Sequence, residues 1–308
     1  MDRTPHRGEA TRHEDAAALH PDLQGGDQRG YYRACSALRN ELKALVAKSL
    51  AIEHDLFLLS NTTQGVMTAM AGLASDGIAL RIAPNAYSPY MALPSWPCVA
   101  DMLKTSLLTH VDPLSGRVSA VSSVAAAPSV LDAAQSFATV VHHRAGLHAD
   151  IVLCSLHKHA GISAGLGLLA IRRDVPFSGL RTYAEVAEAG ACSLSLLEHA
   201  IARVQLLDGR LTNLMTLEID EADRAALKTA EIDVLTPIGA RLPFICMRGV
   251  DPVRAATACA SVGLHVKFFR EQNVVRISGA IRGAIDDTPI DCAPVLKRQI
   301  SILIGGKP

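Results

Sequence analysis

The 308-residue chain has 30 basic and 30 acidic side chains, a formal net charge of zero and a hydrophobic content of 49%. That balance supplies no electrostatic footprint for nucleic acid or an anionic membrane, and no apolar run approaches the ~20 residues of a membrane span. The length allows one large domain and a smaller one, each with its own core.

The first stretch, Met1 to Arg29, is polar, rich in charge, His and Gly, and lacks an apolar signal-peptide core. We read 1–30 as a leader or an arm that docks on a partner subunit. From Tyr31 to Ile52 the residues Leu38, Leu42, Leu45, Val46 and Leu50 recur at helical spacing. Asp55 to Leu59 reads as a short strand or turn. Ser60–Asn61–Thr62–Thr63–Gln64–Gly65 then opens a second helix. A hydroxyl-rich turn at a helix N-terminus is an anion site in waiting, because free backbone N–H groups and the helix dipole converge there. It is also what an ordinary N-cap looks like. Ile78 to Ala83 reads as a strand, and it runs into Tyr87, Tyr90 and Trp96, a local aromatic density in a chain with 4% aromatic residues.

Two apolar, strand-like runs follow, each ending in a chemically capable residue. Asp132 closes Ser129–Val130–Leu131, and Lys158 follows Ile151–Val152–Leu153–Cys154 by a few positions. A lysine at the mouth of a sheet can be held partly dehydrated, which lowers its pKa and makes it a nucleophile for a carbonyl. If both strand ends face one crevice, a carboxylate and an amine share a pocket. Pyridoxal phosphate chemistry needs that pair, a lysine for the Schiff base and an acid beside the pyridine nitrogen. Alone, an Asp after a strand is usually a cap or turn residue and a Lys is usually solvated. The small-residue stretch from Gly161 to Gly167 leads into another apolar run, Leu168–Leu169–Ala170–Ile171.

Further on, Leu194, Leu197, Ile201, Val204 and Leu207 form one face of an amphipathic helix. Beyond Asp208, Leu242 to Met247 reads as a strand and Pro252 to Val262 as a helix capped by Asp251. His265–Phe268 and Val274–Ser278 read as paired strands. The seven cysteines, Cys35, Cys98, Cys154, Cys192, Cys246, Cys259 and Cys292, are scattered and contain no CxxC. They read as reduced, mostly buried thiols of a cytoplasmic protein. His142, His143, His148, His157 and His159 fall in no recognised metal frame, and no metal is expected.

Leu131–Asp132–Ala133–Ala134–Gln135, followed about two dozen residues later by Ser155–Leu156–His157–Lys158 and a Gly-rich turn into a strand, resembles the class V aminotransferase family. This is a group of fold-type I pyridoxal phosphate enzymes that includes cysteine desulfurases and isopenicillin N epimerase-like proteins. The likeness spans about Tyr31 to Ser278 and is strongest over 129–172. It implies an α/β fold, with a mostly parallel central sheet flanked by helices in a large cofactor domain (31–207) and a smaller α+β C-terminal domain (208–308).

The resemblance also implies roles. Lys158 would carry the cofactor and shuttle the α-proton, and Asp132 would hold the ring nitrogen protonated. Gln135 and His157 would lie against the cofactor ring, and Ser155, Thr62 and Thr63 would hold its phosphate. Tyr87, with Tyr90 as the alternative, would stack on the ring. Arg276 in Val274–Val275–Arg276–Ile277–Ser278 would bind the substrate carboxylate, and Lys267 and Arg270 are weaker anion candidates.

The implied protein is a homodimer acting at the α-carbon of a small amino acid. Aminotransfer is the leading reading, and β- or γ-elimination, epimerisation or a non-catalytic subunit are the alternatives. Between Gly263 and Val275 there is no cysteine, which disfavours desulfuration by a loop thiol. Two departures from the family stand out. Only Arg117 to Ala127, mostly Ser, Val and Ala, occupies the place of a strand, loop and helix, so at least one helix is expected to be missing. Ala191 replaces a threonine that in relatives reaches the neighbouring subunit's phosphate, with Ser193 as the nearest substitute.

Overall fold

The computed structural model describes residues 28–50, 52–83, 86–93, 101–120, 127–142, 149–162, 164–260 and 262–279. The expectations for the leader up to residue 27, for Trp96, Cys98, His143, His148 and Cys292, and for residues 280–308 lie outside them.

A six-stranded sheet forms the larger layer. Its strands are β1 (His54–Leu59), β2 (Ile78–Ile82), β3 (Leu103–Thr109), β4 (Val130–Asp132), β5 (Ile151–Ser155) and β6 (Gly167–Arg172), in spatial order β1-β6-β5-β4-β3-β2. β2, β3, β4 and β5 pair in parallel, whereas β6 runs antiparallel to both β5 and β1. The sheet is therefore mostly parallel, as expected. β5 is buried along its whole length and β6 nearly so, which explains why both read as continuous apolar runs rather than as alternating ones.

Helices cover both faces. α1 (Gln28–Leu50) and α5 (Leu194–Leu206) pack on one side, where Leu42, Val46, Leu197, Ile201 and Val204 meet Leu131, Val152 and Leu168. α2 (Thr62–Ser75) and α4 (Ser178–Ala189) pack on the other, where Val66, Leu73 and Leu180 meet Leu107, Leu153 and Leu169. α2 and α4 approach closely at Gly72, where a Cβ would stand 2.6 Å from the Leu180 Cα. α3 (Ser88–Met91) is a single turn with Pro89 in its first positions. Ser193 is spent locally as the N-cap of α5, its hydroxyl accepting from the Leu196 N–H at 3.3 Å.

Between β3 and β4 the described residues contain no helix. In its place, a turn at 113–115 brings Val111 into an antiparallel bridge with Val118.

The C-terminal part carries a second sheet, antiparallel, in the order β7-β8-β10-β9, built from β7 (Asp233–Val234), β8 (Phe244–Arg248), β9 (His265–Phe269) and β10 (Val274–Ser278). One face, with Ile245, Met247, Val275 and Ile277, joins the core that includes Leu227 of α6 (Glu221–Thr229) and Ala255 and Cys259 of α7 (Pro252–Ala260). Asp251 caps α7 by accepting from the Val253 N–H at 2.8 Å. The opposite face, with Phe244, Cys246 and Val274, packs against Val111 of the larger unit. Because side chains alternate along a strand, that packing turns Arg276 toward the end of the parallel sheet.

Candidate active site

Parallel strands leave their functional residues at their carboxyl ends, where the backbone turns away and a crevice opens. Here Thr109, Asp132 and Leu153 are in register across β3, β4 and β5. Thr109, Asp132 and Ser155, the last residues of these three strands, line one cavity of about 300 Å3. The same cavity is lined by Asn61, Thr62 and Thr63 at the start of α2, by Tyr87 and Tyr90, by Ala134, Gln135, His157 and Lys158, and by Lys267, Phe269 and Arg276 from the second sheet. All eight residues expected to meet the cofactor, and Arg276, are thus brought together. Arg270 is not among the lining residues.

Asp132 is 5% exposed. Burial pushes its carboxyl upward, opposed by the Ala134 N–H, by the Lys158 charge and by the Tyr90 hydroxyl, which hydrogen-bonds to it. The Ala134 N–H donates to Oδ1 at 2.9 Å. Tyr90, 2% exposed, is itself held above the usual phenol range by burial and by the Asp132 charge. Its ring meets that of Tyr87 edge to face at 5.3 Å, while Tyr87 is 39% exposed at the cavity. The two tyrosines that the sequence offered as alternatives therefore differ in duty. Tyr90 supports the carboxylate from below, and Tyr87 presents the freer ring.

Lys158 is lowered to about 8, first by burial and then by the positive charges of Arg276 and Lys267, with Asp132 pulling the other way. His157 is lowered too, by burial and by Lys158, and its Nδ1 lies 2.8 Å from the Ser155 hydroxyl.

At the start of α2, Asn61 caps the helix through Oδ1, which accepts from the Gln64 N–H at 2.8 Å. The hydroxyls of Thr62 and Thr63 follow at once. Gly167 of β6 passes directly behind: a Cβ there would stand 2.7 Å from the Asn61 carbonyl carbon. The turn is pinned between its own cap and the sheet, so its N–H groups are preorganised for an anion.

Arg276 is the most constrained cation of the site. Its guanidinium carbon lies 5.2 Å from the Phe244 ring centre and 5.4 Å from that of Phe269. Nη1 donates to Gln135 Oε1 at 3.1 Å, whereas Nε is buried without a partner. Behind it, His159 stacks on the other contact of the Phe244 ring at 6.4 Å and is lowered to about 3, chiefly by burial. It is a neutral imidazole that fixes the wall. Lys267, a weaker anion candidate in the sequence, lines the cavity. His159 and Phe269 were not singled out as site residues, and nothing in the sequence set them apart for this role.

A half-buried amine, a buried carboxylate, a helix N-terminus and a clamped guanidinium thus surround one cavity at the carboxyl ends of a mostly parallel sheet, and the fold is that of the type I pyridoxal phosphate-dependent transferases. Solved structures agree on the fold. The chain is similar to the phosphoserine aminotransferase SerC of Cytophaga hutchinsonii, with a TM-score of 0.55 and 13% identity over 89% of each chain. It is similar to an aspartate aminotransferase of Thermus thermophilus, with a TM-score of 0.52 and 12% identity over 93% of this chain and 96% of that one. A cysteine desulfurase of Thermococcus onnurineus gives a TM-score of 0.51 and 14% identity over 89% of this chain and 83% of that one. By sequence, residues 14–304 match the model of a family of unknown function, DUF6024, and the chain belongs to that family. No curated protein matches it at the level of sequence.

Proposed function

We propose that this protein is a pyridoxal phosphate-dependent enzyme acting at the α-carbon of a small amino acid, in the manner of an aminotransferase. The observation that carries the reading is the half-buried Lys158 amine and the buried Asp132 carboxylate, which feel each other's charge on the cavity that Arg276 also lines.

The donor set fits the cofactor group by group. Asp132 already accepts from Ala134 and Tyr90, and a protonated ring nitrogen would add a third, charge-assisted donor. The α2 N-terminus with Thr62 and Thr63, joined by Ser155, suits a phosphate. Tyr87 offers a ring face, while Gln135 and His157 offer polar contacts at the edge. Bound there, pyridoxal phosphate would supply an electron-withdrawing ring able to stabilise negative charge at the substrate α-carbon.

The chain's own residues do the rest. Lys158, depressed toward neutrality, serves as the attachment lysine. Its amine would hold the α-proton and return it. Asp132 would keep the proton on a ring nitrogen bound beside it. Arg276 takes the substrate carboxylate in a two-pronged grip, with Phe244 and Phe269 excluding water around it. A homodimer and a cytoplasmic location belong to the same proposal. Support for the dimer is the resemblance drawn from the Asp132 and Lys158 motifs, and light scattering tests it. Support for the location is the free state of the five described cysteines.

The test of the central claim is an absorption spectrum of the purified protein with pyridoxal phosphate, before and after borohydride reduction. A visible band that reduction abolishes while fixing a pyridoxyl group onto Lys158, located by peptide mass mapping, and that is missing in Lys158→Ala, is expected. A protein that stays colourless at saturating cofactor would be a non-catalytic relative of the fold.

A further inference from the structure

The cavity has one cationic side chain to which the proposed chemistry assigns no role. Lys158, Lys267 and Arg276 line it, and Asp132 is the one carboxylate among its described lining residues. On the reading above, on which this inference rests, Asp132 faces the ring nitrogen, Lys158 carries the cofactor, the start of α2 with Ser155 takes the phosphate, and Arg276 takes the α-carboxylate. Lys267 is left over. No ion pair engages it among the described residues, and the charge acting on it is that of Arg276, which together with partial burial lowers it.

Its placement is not that of an idle strand lysine. Lys267 and Arg276 are direct partners across β9 and β10, so their side chains leave the same face of the sheet. They also share one ring: Lys267 Nζ lies 5.0 Å from the centre of Phe269, and the Arg276 guanidinium carbon lies 5.4 Å from it. Two like charges held against one aromatic wall repel each other unless an anion lies between or beside them. Arg276 is fixed deep in the wall by Phe244 and Gln135, whereas Lys267 stands exposed at the rim.

We infer that the substrate carries a second anionic group besides its α-carboxylate, and that Lys267 binds this second group while Arg276 binds the first. The substrate class is thus an acidic amino acid whose side chain ends in a carboxylate or a phosphate-type anion.

Unreactive skeletons test this on the cofactor-loaded protein. Propionate, succinate, glutarate and 3-phosphonopropionate are titrated against the visible band, and their binding is measured in parallel by calorimetry. The dianions are expected to bind about tenfold or more tightly than propionate, the margin of one charge-assisted contact. Lys267→Met, which keeps an apolar stem on Phe269, should erase that margin, and Lys267→Arg should restore it. Comparing the two dicarboxylates with the phosphonate identifies which anion the rim prefers. Propionate binding as tightly as the dianions, or a margin that survives in Lys267→Met, overturns the inference while leaving the cofactor reading intact. Absence of any visible band overturns both.

Discussion

The Lys158 amine is poised by its surroundings, and its behaviour with pH follows. Held at about 8 rather than 10.5, it is largely neutral on the alkaline side of that value, and only the neutral amine attacks a carbonyl. The rate at which the protein captures pyridoxal phosphate should therefore rise with pH to a midpoint near 8 and then level off, as stopped-flow absorbance can follow. The same shift affects the cofactor-free protein. Between about 8 and 10.5 the unfolded chain holds the extra proton at this site, so the contribution of Lys158 to folding stability grows with pH across that window. Asp132 depends on Tyr90 in a comparable way. Removing the hydroxyl in Tyr90→Phe leaves a buried carboxylate one donor short, and we expect cofactor affinity to fall by about tenfold, the weight of a single hydrogen bond to a charged group. Equilibrium titration of the visible band measures it. A variant that binds as tightly as the parent would show that Tyr90 only fills space. At this scale the sequence was informative where strand ends concentrate chemistry. Asp132 and Lys158 were legible because each follows an apolar run inside a motif, Asp132–Gln135 and Ser155–Lys158, that resembles the family's. The division of labour between Tyr87 and Tyr90 was not, because a single turn opening at Ser88–Pro89 decides which ring is buried, and no periodicity reveals it.

At the level of elements, two glycines hold the architecture at close approaches. Gly167 lets β6 pass against the Asn61 turn, and Gly72 lets α2 lie against Leu180 of α4. Either contact tolerates no methyl group, since the opposing atoms are backbone. Gly72→Ala should cost about 1–3 kcal/mol by forcing the two helices apart, with cofactor affinity little altered. Gly167→Ala should cost a similar amount and also weaken cofactor binding, because the displaced atoms belong to the turn proposed to hold the phosphate. Thermal unfolding and cofactor titration of the pair separate these outcomes. Neither glycine was distinguishable in the sequence, since close approach is a property of two segments and leaves no trace in either alone. The helices and strands themselves were legible: α1 and α5 from their 3.6-residue repeats, β5 and β6 from unbroken apolar runs. The expectation that a helix is missing between β3 and β4 rests on the short side chains between Arg117 and Ala127, which offer no apolar stripe to bury; residues 121–126 of that stretch lie outside the described residues.

Over the whole molecule, the cavity belongs to neither sheet. Asp132, Ser155 and the α2 turn come from the parallel sheet, whereas Lys267, Phe269 and Arg276 come from the antiparallel one, and the Gln135–Arg276 hydrogen bond already joins the two sides. Other described contacts across the seam are Val111 with Phe244, Cys246 and Val274, the stack of His159 on Phe244, and the Cys246 thiol donating to the Pro113 carbonyl. An occupant held at one end by Asp132 and at the other by Arg276 would act as a mechanical rivet through this seam. Its binding energy would be felt as rigidity far from the chemistry, and it should raise the melting temperature with the logarithm of ligand concentration over the dissociation constant. In hydrogen exchange, the amides of β9 and β10 should slow when the rivet is in place, although they belong to a sheet that supplies no part of the cofactor cradle. A protein assembled this way reports occupancy through the stiffness of its smaller half.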